Sequence, residues 1–345
     1  MRAGRSAAVE DRLQNALRLI VALAVSGVCL YYATRGTDWA QVGVALRGAH
    51  VGWCLAVIAV SICCHTLRAE RWRILLRPVG AVPLWPAVAA TFLGFGANAV
   101  LPLRLGELIR PAFLSRRIGI PLSPTISSIV LERIFDTLLV ICCLLTVGLV
   151  YPVPELLWRG SLVLGAAASG GLVLLIVMER RRSAAERLIR RLADVLPARI
   201  GGPLWSIATG LLSGLGGLTD HRIVALVLAS SIGLWSLITL TYTLSFFAMD
   251  VPIPTVAGSL VTVVIVAASV FLPQAPGFIG TWQAGCVAAL HGVFGVPKDI
   301  AVAFSLLTWV IQMTANVGSA LVAIAIEGVS VRELQAESRG EVAET

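Results

Sequence analysis

Residues 98–136 read NAVLPLRLGELIRPAFLSRRIGIPLSPTISSIVLERIFD, and this stretch decides the fold. Pro102, Arg104, Gly106, Glu107, Arg110, Glu132, Arg133 and Asp136 crowd into a sequence otherwise built of bilayer-compatible residues. An Arg or Asp at the centre of a membrane helix costs roughly 2.5–3.5 kcal/mol on an insertion scale. Such a cluster persists where it lines a protein-enclosed or watered cavity, and that cavity is the expected seat of function.

The surrounding chain has 345 residues, of which 57% are apolar and only 13% charged, with a mean hydropathy of +0.88. A soluble domain carries about 25% charged residues. The expectation is an all-α, polytopic membrane protein. Apolar runs lie near 16–34, 51–67, 83–103, 125–150, 159–178, 223–248, 255–272, 281–296 and 300–326. They suit helices, which need ~20 residues to cross, and not barrel strands, which alternate over ~10. The net charge of +8 therefore reads as topology and not as nucleic-acid binding. The stem 1–15 has no small-residue cleavage site, so the first run is expected to be retained. Cys29, Cys54, Cys63, Cys64, Cys142, Cys143 and Cys286 all fall in apolar segments, and His50, His65, His221 and His291 are scattered. Neither set has metal-ligand spacing, so no metal and no cofactor is expected.

Arginines in the connections set the topology. Arg2, Arg5 and Arg12 place the N-terminus in the cytoplasm, and Arg68, Arg71, Arg73 and Arg77 return the chain there after two crossings. If 83–103 crossed, the basic connections after it, including 179–222, would lie outside. A re-entrant hairpin that turns near Gly94, Gly96 and Asn98 removes both violations, since glycine permits a tight turn. The break Leu272-Pro273-Gln274-Ala275-Pro276-Gly277-Phe278-Ile279-Gly280 makes a second broken hairpin, entering from the opposite side. The result is six full crossings and two hairpins in one domain, 16–327, with halves 16–150 and 159–327. Paired interruptions in inverted halves point to a transporter's binding site. Residues 180–200 set arginines opposite Leu188, Ile189, Leu192, Val195 and Leu196, the pattern of an interfacial helix or of a solvated connector. The tail, 328–345, reads as short, disordered and cytoplasmic.

On a helix beginning near Thr125, Glu132 and Asp136 share a face roughly 10 to 17 Å along the axis. Two carboxylates so close require a cation, and Arg104 or Arg110 from the adjoining segment is the expected counter-ion. The cluster then either clamps two helices together or receives a phosphate. In the second case Arg104, Arg110 and Arg133 supply planar forks for phosphate oxygens, while Glu107, Glu132 and Asp136 orient them or move protons. The breaks at Asn98, Pro102, Gly106, Pro273, Pro276, Gly277 and Gly280, with Gln283, are expected to line the cavity.

At these residues the chain resembles the lysylphosphatidylglycerol synthase transmembrane region, or flippase-like integral membrane proteins. The resemblance rests on Arg71-Trp72 with Leu75-Leu76, on residues 98–110, on Glu132-Arg133-Ile-Phe-Asp136 and on Pro276-Gly277-Phe-Ile-Gly280, and extends from about 15 to 327. It implies a helical domain that moves lipids between leaflets. The namesake enzymes add a soluble aminoacyl-transferring domain, which is not expected in the short stretch after the last apolar run. Relatives commonly have Glu where this chain has Gln283, which argues against proton coupling there.

The favoured expectation is an inner-membrane transporter, not an enzyme, that moves an anionic or polyprenyl-phosphate-linked lipid. Two alternatives are a non-transporting partner of an envelope-lipid biosynthetic enzyme and an integral-membrane transferase with Glu132 or Asp136 as base.

Overall fold

A computed structural model describes residues 2–101, 104–149, 155–253, 255–270 and 275–328. The described residues form α-helices and no strand. In order they are α1 (Arg2–Thr34), α2 (Trp39–Arg47), α3 (Val51–Leu76), α4 (Leu84–Val100), α5 (Gly106–Ile118), α6 (Leu122–Gly148), α7 (Glu155–Arg180), α8 (Arg182–Val195), α9 (Ala198–Ser213), α10 (His221–Ala248), α11 (Thr255–Val270), α12 (Thr281–Val287) and α13 (Lys298–Glu327). Helices are the expected solution, because each satisfies its own backbone where no water is available.

Four of them, α3, α7 from Trp158, α10 and α13, are long and apolar enough to cross a membrane. A fifth span follows if α1 from Leu19 and α2, bent by 86° at residues 35–38, count as one. Helix α6, the remaining member of the six expected crossings, has 27 residues, but Glu132, Arg133 and Asp136 interrupt its apolar run. Local signals set the helix ends. Asp38 and Asp220 accept the Ala40 and Arg222 N–H groups as N-caps, and Gly119 and Gly328 end α5 and α13 in the left-handed conformation.

The central pair is α3 against α10, antiparallel. The His50 N–H donates to the Ala248 carbonyl at 2.8 Å at one end, and Val227 packs with Ile74 and Leu75 toward the other. Around this pair α4 packs on α13 and α11 on α6, so the expected halves are interleaved. Phe246 stacks on Phe304 at 5.1 Å in the largest apolar cluster.

The first hairpin turns later than expected. Helix α4 runs unbroken through Gly94, Gly96 and Asn98 to Val100, and α5, from Gly106, packs back on it; Pro102 and Leu103 lie outside the described residues. Interior glycine costs a helix only about 1 kcal/mol, less than abandoning backbone bonds at membrane depth. The glycines serve close approach instead. A side chain at Gly106 would collide with the Gly94 carbonyl and the Asn98 amide, and the Gly106 N–H donates to Asn98 Oδ1 at 2.9 Å. Helix α5 is the returning limb.

The second break lies over the described residues 275–280, a 3₁₀ turn at Pro276–Phe278 with Gly277 and Gly280 at positive φ; Pro273 is outside the described residues. Helix α12 has seven residues and continues through one π turn, Ala288–Val293, in keeping with the short second run. Gly285 lets it sit on Val266 and Ser269 of α11.

Helix α8 turns Ala185 and Ala193 inward, with Ile189 packed beside them, and leaves Leu188, Leu192 and Val195 exposed along one stripe. The apolar face expected over 180–200 is thus divided. Its C-terminal neighbour α9 packs on α6 by seating Gly210 on Ser123, and Gly214, just past its end, sits on Ser127.

Candidate functional site

The charged cluster assembles where α3, α5 and α6 meet beside α10. On α6, Glu132 and Asp136 lie about 15 and 21 Å from the helix start, in its middle third. Arg71 of α3, fully buried, reaches both. Its Nη1 is 2.6 Å from Asp136 Oδ1, and its Nη2 is 3.1 Å from Glu132 Oε1 and from Asp136 Oδ2. Arg71 Nη1 also donates to Ser231 Oγ at 3.0 Å, which ties in α10. One turn earlier, Arg68 Nη1 lies 3.2 Å from Glu132 Oε1 and 3.1 Å from Asp136 Oδ2. Arg110 of α5 takes the remaining Glu132 oxygen at 2.8 Å and stacks its guanidinium over Trp72, 4.1 Å from the ring centroid. Trp235 of α10 donates its indole N–H to Asp136 Oδ1 at 3.3 Å.

These contacts correct the expected counter-ion. Arg71 and Arg68 hold the two carboxylates together, and Arg110 binds Glu132 alone. Arg104 reaches neither by the bonds seen here. It sits at φ 56°, a left-handed conformation that costs an L-residue about 1–2 kcal/mol, and donates to the Val270 carbonyl of α11. Arg133 does reach both carboxylates despite its nearness in sequence, at the longer distances of 3.4 and 3.6 Å, and lies 3.9 Å from Glu107.

Burial divides the cluster. Arg71 and Glu132 side chains are fully enclosed, whereas Arg133 and Glu107 keep 38% and 34% of their side-chain surface. The exposed members open onto a cavity of about 200 Å³ walled by Arg68, Phe95, Asn98, Arg104, Glu107, Arg110, Arg133 and Asp136. Gly94, Gly106 and Phe278 complete that wall. Five guanidiniums stand against three carboxylates, an excess of two positive charges. Arg110 Nε and Nη2, Arg133 Nε and, in the sealed floor, Arg71 Nε are buried without a hydrogen-bond partner among the described residues. Unpaired buried donors cost about 1–3 kcal/mol each, more when charged, and with the positive excess they make the site's field one that attracts anions and repels cations.

Several residues expected in the cavity stand elsewhere. Glu132 is sealed beneath it. Gln283 is 1% exposed, and its Oε1 accepts the Gly280 N–H at 2.6 Å, half of a capping box for α12. It is therefore spent on its own helix and is not in the cavity wall. Gly277 packs on the Ala99 carbonyl and Met313, and its own carbonyl accepts the Trp309 indole N–H at 2.7 Å. Pro276, Gly277 and Gly280 thus brace the second break, and of that turn Phe278 faces the cavity.

Sequence reasoning missed Arg68, Arg71, Phe95 and Trp235. Arg68 and Arg71 were visible as two of four arginines closing an apolar run, where they read as a topology signal. Their spacing of three was the available clue, since it puts both on one helix face while Arg73 and Arg77 lie off it.

A helical, multi-pass membrane protein with a cationic cavity among its buried helices is the class these features define. The family model of the lysylphosphatidylglycerol synthase TM region matches residues 19–317, and the chain belongs to that family, a membrane family of lipid metabolism. No curated protein matches the chain.

Removing one partner from an enclosed ion-pair network leaves a buried charge uncompensated, at about 3–5 kcal/mol. Glu132→Gln is therefore expected to lower unfolding stability in detergent by that order, and Arg133→Gln, at the open rim, by less than about 1 kcal/mol. Thermal unfolding of the purified variants checks this, and equal losses would contradict the division into floor and rim.

Proposed function

We propose that this protein is a flippase-like transporter of the inner membrane that moves a phosphate-bearing lipid, anionic or polyprenyl-phosphate-linked, between leaflets. The observation that supports this best is the excess of two positive charges around a cavity within the helix bundle. Guanidinium forks match phosphate oxygens in pairs, and Arg104, Arg110 and Arg133 all line one space. All four oxygens of Glu132 and Asp136 already accept from arginine, the geometry of orienting groups and not of a base poised for substrate. That favours transport over catalysis. The packing of α3 on α10, α4 on α13 and α11 on α6 pairs corresponding elements of the two halves reciprocally, which supports an inverted repeat around the site.

In liposomes carrying fluorescently labelled phosphatidylglycerol, Arg133→Lys is expected to move lipid about ten- to a hundredfold more slowly than the unaltered protein. Lysine keeps the charge but loses the fork, worth one charged hydrogen bond. An unchanged rate at equal reconstitution would contradict the phosphate assignment. For orientation, both termini and the segment 179–222 are proposed to be cytoplasmic from the arginine count. A cysteine introduced at Ser183 should stay unlabelled by an impermeant reagent in intact cells, and labelling there would reverse the topology.

A further inference from the structure

A second cavity, of about 240 Å³, lies beside the arginine site, toward the end of the bundle where α3 begins and α10 finishes. The two share Arg68, Phe95, Trp235, Ala267 and Val270, so a ligand held in one needs only to pass these side chains to enter the other. Their chemistry differs. Among the described residues Arg68 is the one charged member of the second wall, and its Nη1 is already engaged by Glu132 and Asp136. No carboxylate among the described residues stands there to receive an ammonium, and the neighbouring excess of positive charge repels one.

What the wall does offer is flat apolar surface interrupted by neutral hydrogen-bonding groups. Tyr242 and Trp282 lie with ring planes 21° apart and centroids 6.2 Å apart, and Phe95 stacks under His65 at 4.5 Å. The donors of His65 and Gln312 converge on Asn316 Oδ1, each at 3.0 Å. That leaves Gln312 its carbonyl oxygen and second N–H, and Thr241, which donates to the Ile238 carbonyl at 2.7 Å, keeps its hydroxyl lone pairs. Mixed donors and acceptors complement hydroxyl groups, which are both at once. An acyl chain would use none of them, and it has a better counterpart in the apolar groove of about 210 Å³ between α4, α5 and α13, lined by Leu93, Val100, Val317 and Leu321.

We propose that this second cavity binds the uncharged, hydroxyl-bearing part of the lipid headgroup, a glycerol or a sugar, whose phosphate lies among the arginines. The inference rests on the phosphate reading of the first cavity. Pockets of this kind use aromatic walls for contact and a few polar groups for orientation.

The full-length protein in detergent, titrated with phosphatidylglycerol, phosphatidylmethanol and phosphatidylethanolamine of identical acyl chains, tests the two readings separately. Phosphatidylglycerol is expected to bind about tenfold more tightly than either of the others, the worth of one or two net hydrogen bonds. Gln312→Leu is expected to erase that preference without weakening phosphatidylmethanol, and Thr241→Val does the same duty if the first variant fails to fold. Equal binding of the three lipids, a preference for the ethanolamine headgroup, or a glycerol preference that survives the substitutions would overturn the second site while leaving the phosphate site standing. Binding of phosphatidylmethanol that is absent, or that is indifferent to Arg133→Gln, would overturn the phosphate site itself.

Discussion

The guanidinium of Arg71, fully buried between Glu132 and Asp136, is the contact on which the rest of this structure depends. Three charges on two neighbouring helices are each intolerable alone at that depth, and together they force α3 and α6 into one register. The hydrogen bond from Arg71 to Ser231 adds α10 to the same point, and Arg110 adds α5. A buried network of this kind stabilises little compared with apolar packing, but it specifies one arrangement, since every alternative leaves a charge unpaired.

The cavity follows from how the network is completed. Glu132 and Asp136 need roughly two guanidiniums, and Arg71 with Arg68 already supplies them. Arg110 and Arg133, which also touch these carboxylates, and Arg104 then add three further positive charges against the one negative charge of Glu107 at the rim. The close approach of α5 to α4 at Gly106 and Gly94 brings that surplus to one wall. Aromatic residues from α4 and α10, Phe95 and Trp235, cover the opposite side and also form the partition from the neutral cavity beyond. On the proposed reading, a phosphate occupies the charged compartment and its uncharged substituent the neutral one.

Much of the fold was legible because membrane burial writes itself as composition. The described part of each apolar run from 16–34 to 300–326 is helical for most of its length, and the Pro/Gly break over 275–280 is where the chain interrupts. The first turn was misplaced because Gly94 and Gly96 carry two meanings in a sequence, a break or a place where another helix comes close, and only the position of Gly106 distinguishes them. The carboxylates Glu132 and Asp136 stood out by type and spacing. Their partners did not, since Arg68 and Arg71 sit 61 to 68 residues away at the end of a helix where arginines are expected for orientation alone. Gln283 shows the converse, a polar residue at a suggestive place whose amide is consumed by capping α12.

The most direct test of the central claim is an experimental structure of the protein at high resolution in nanodiscs rich in an anionic phospholipid. The account predicts a headgroup phosphate within charge-assisted hydrogen-bonding distance of Arg104, Arg110 and Arg133, with Arg71 unmoved between Glu132 and Asp136. A cavity whose arginines fold back onto the carboxylates, with phosphates ordered only around the outside of the bundle, would contradict it.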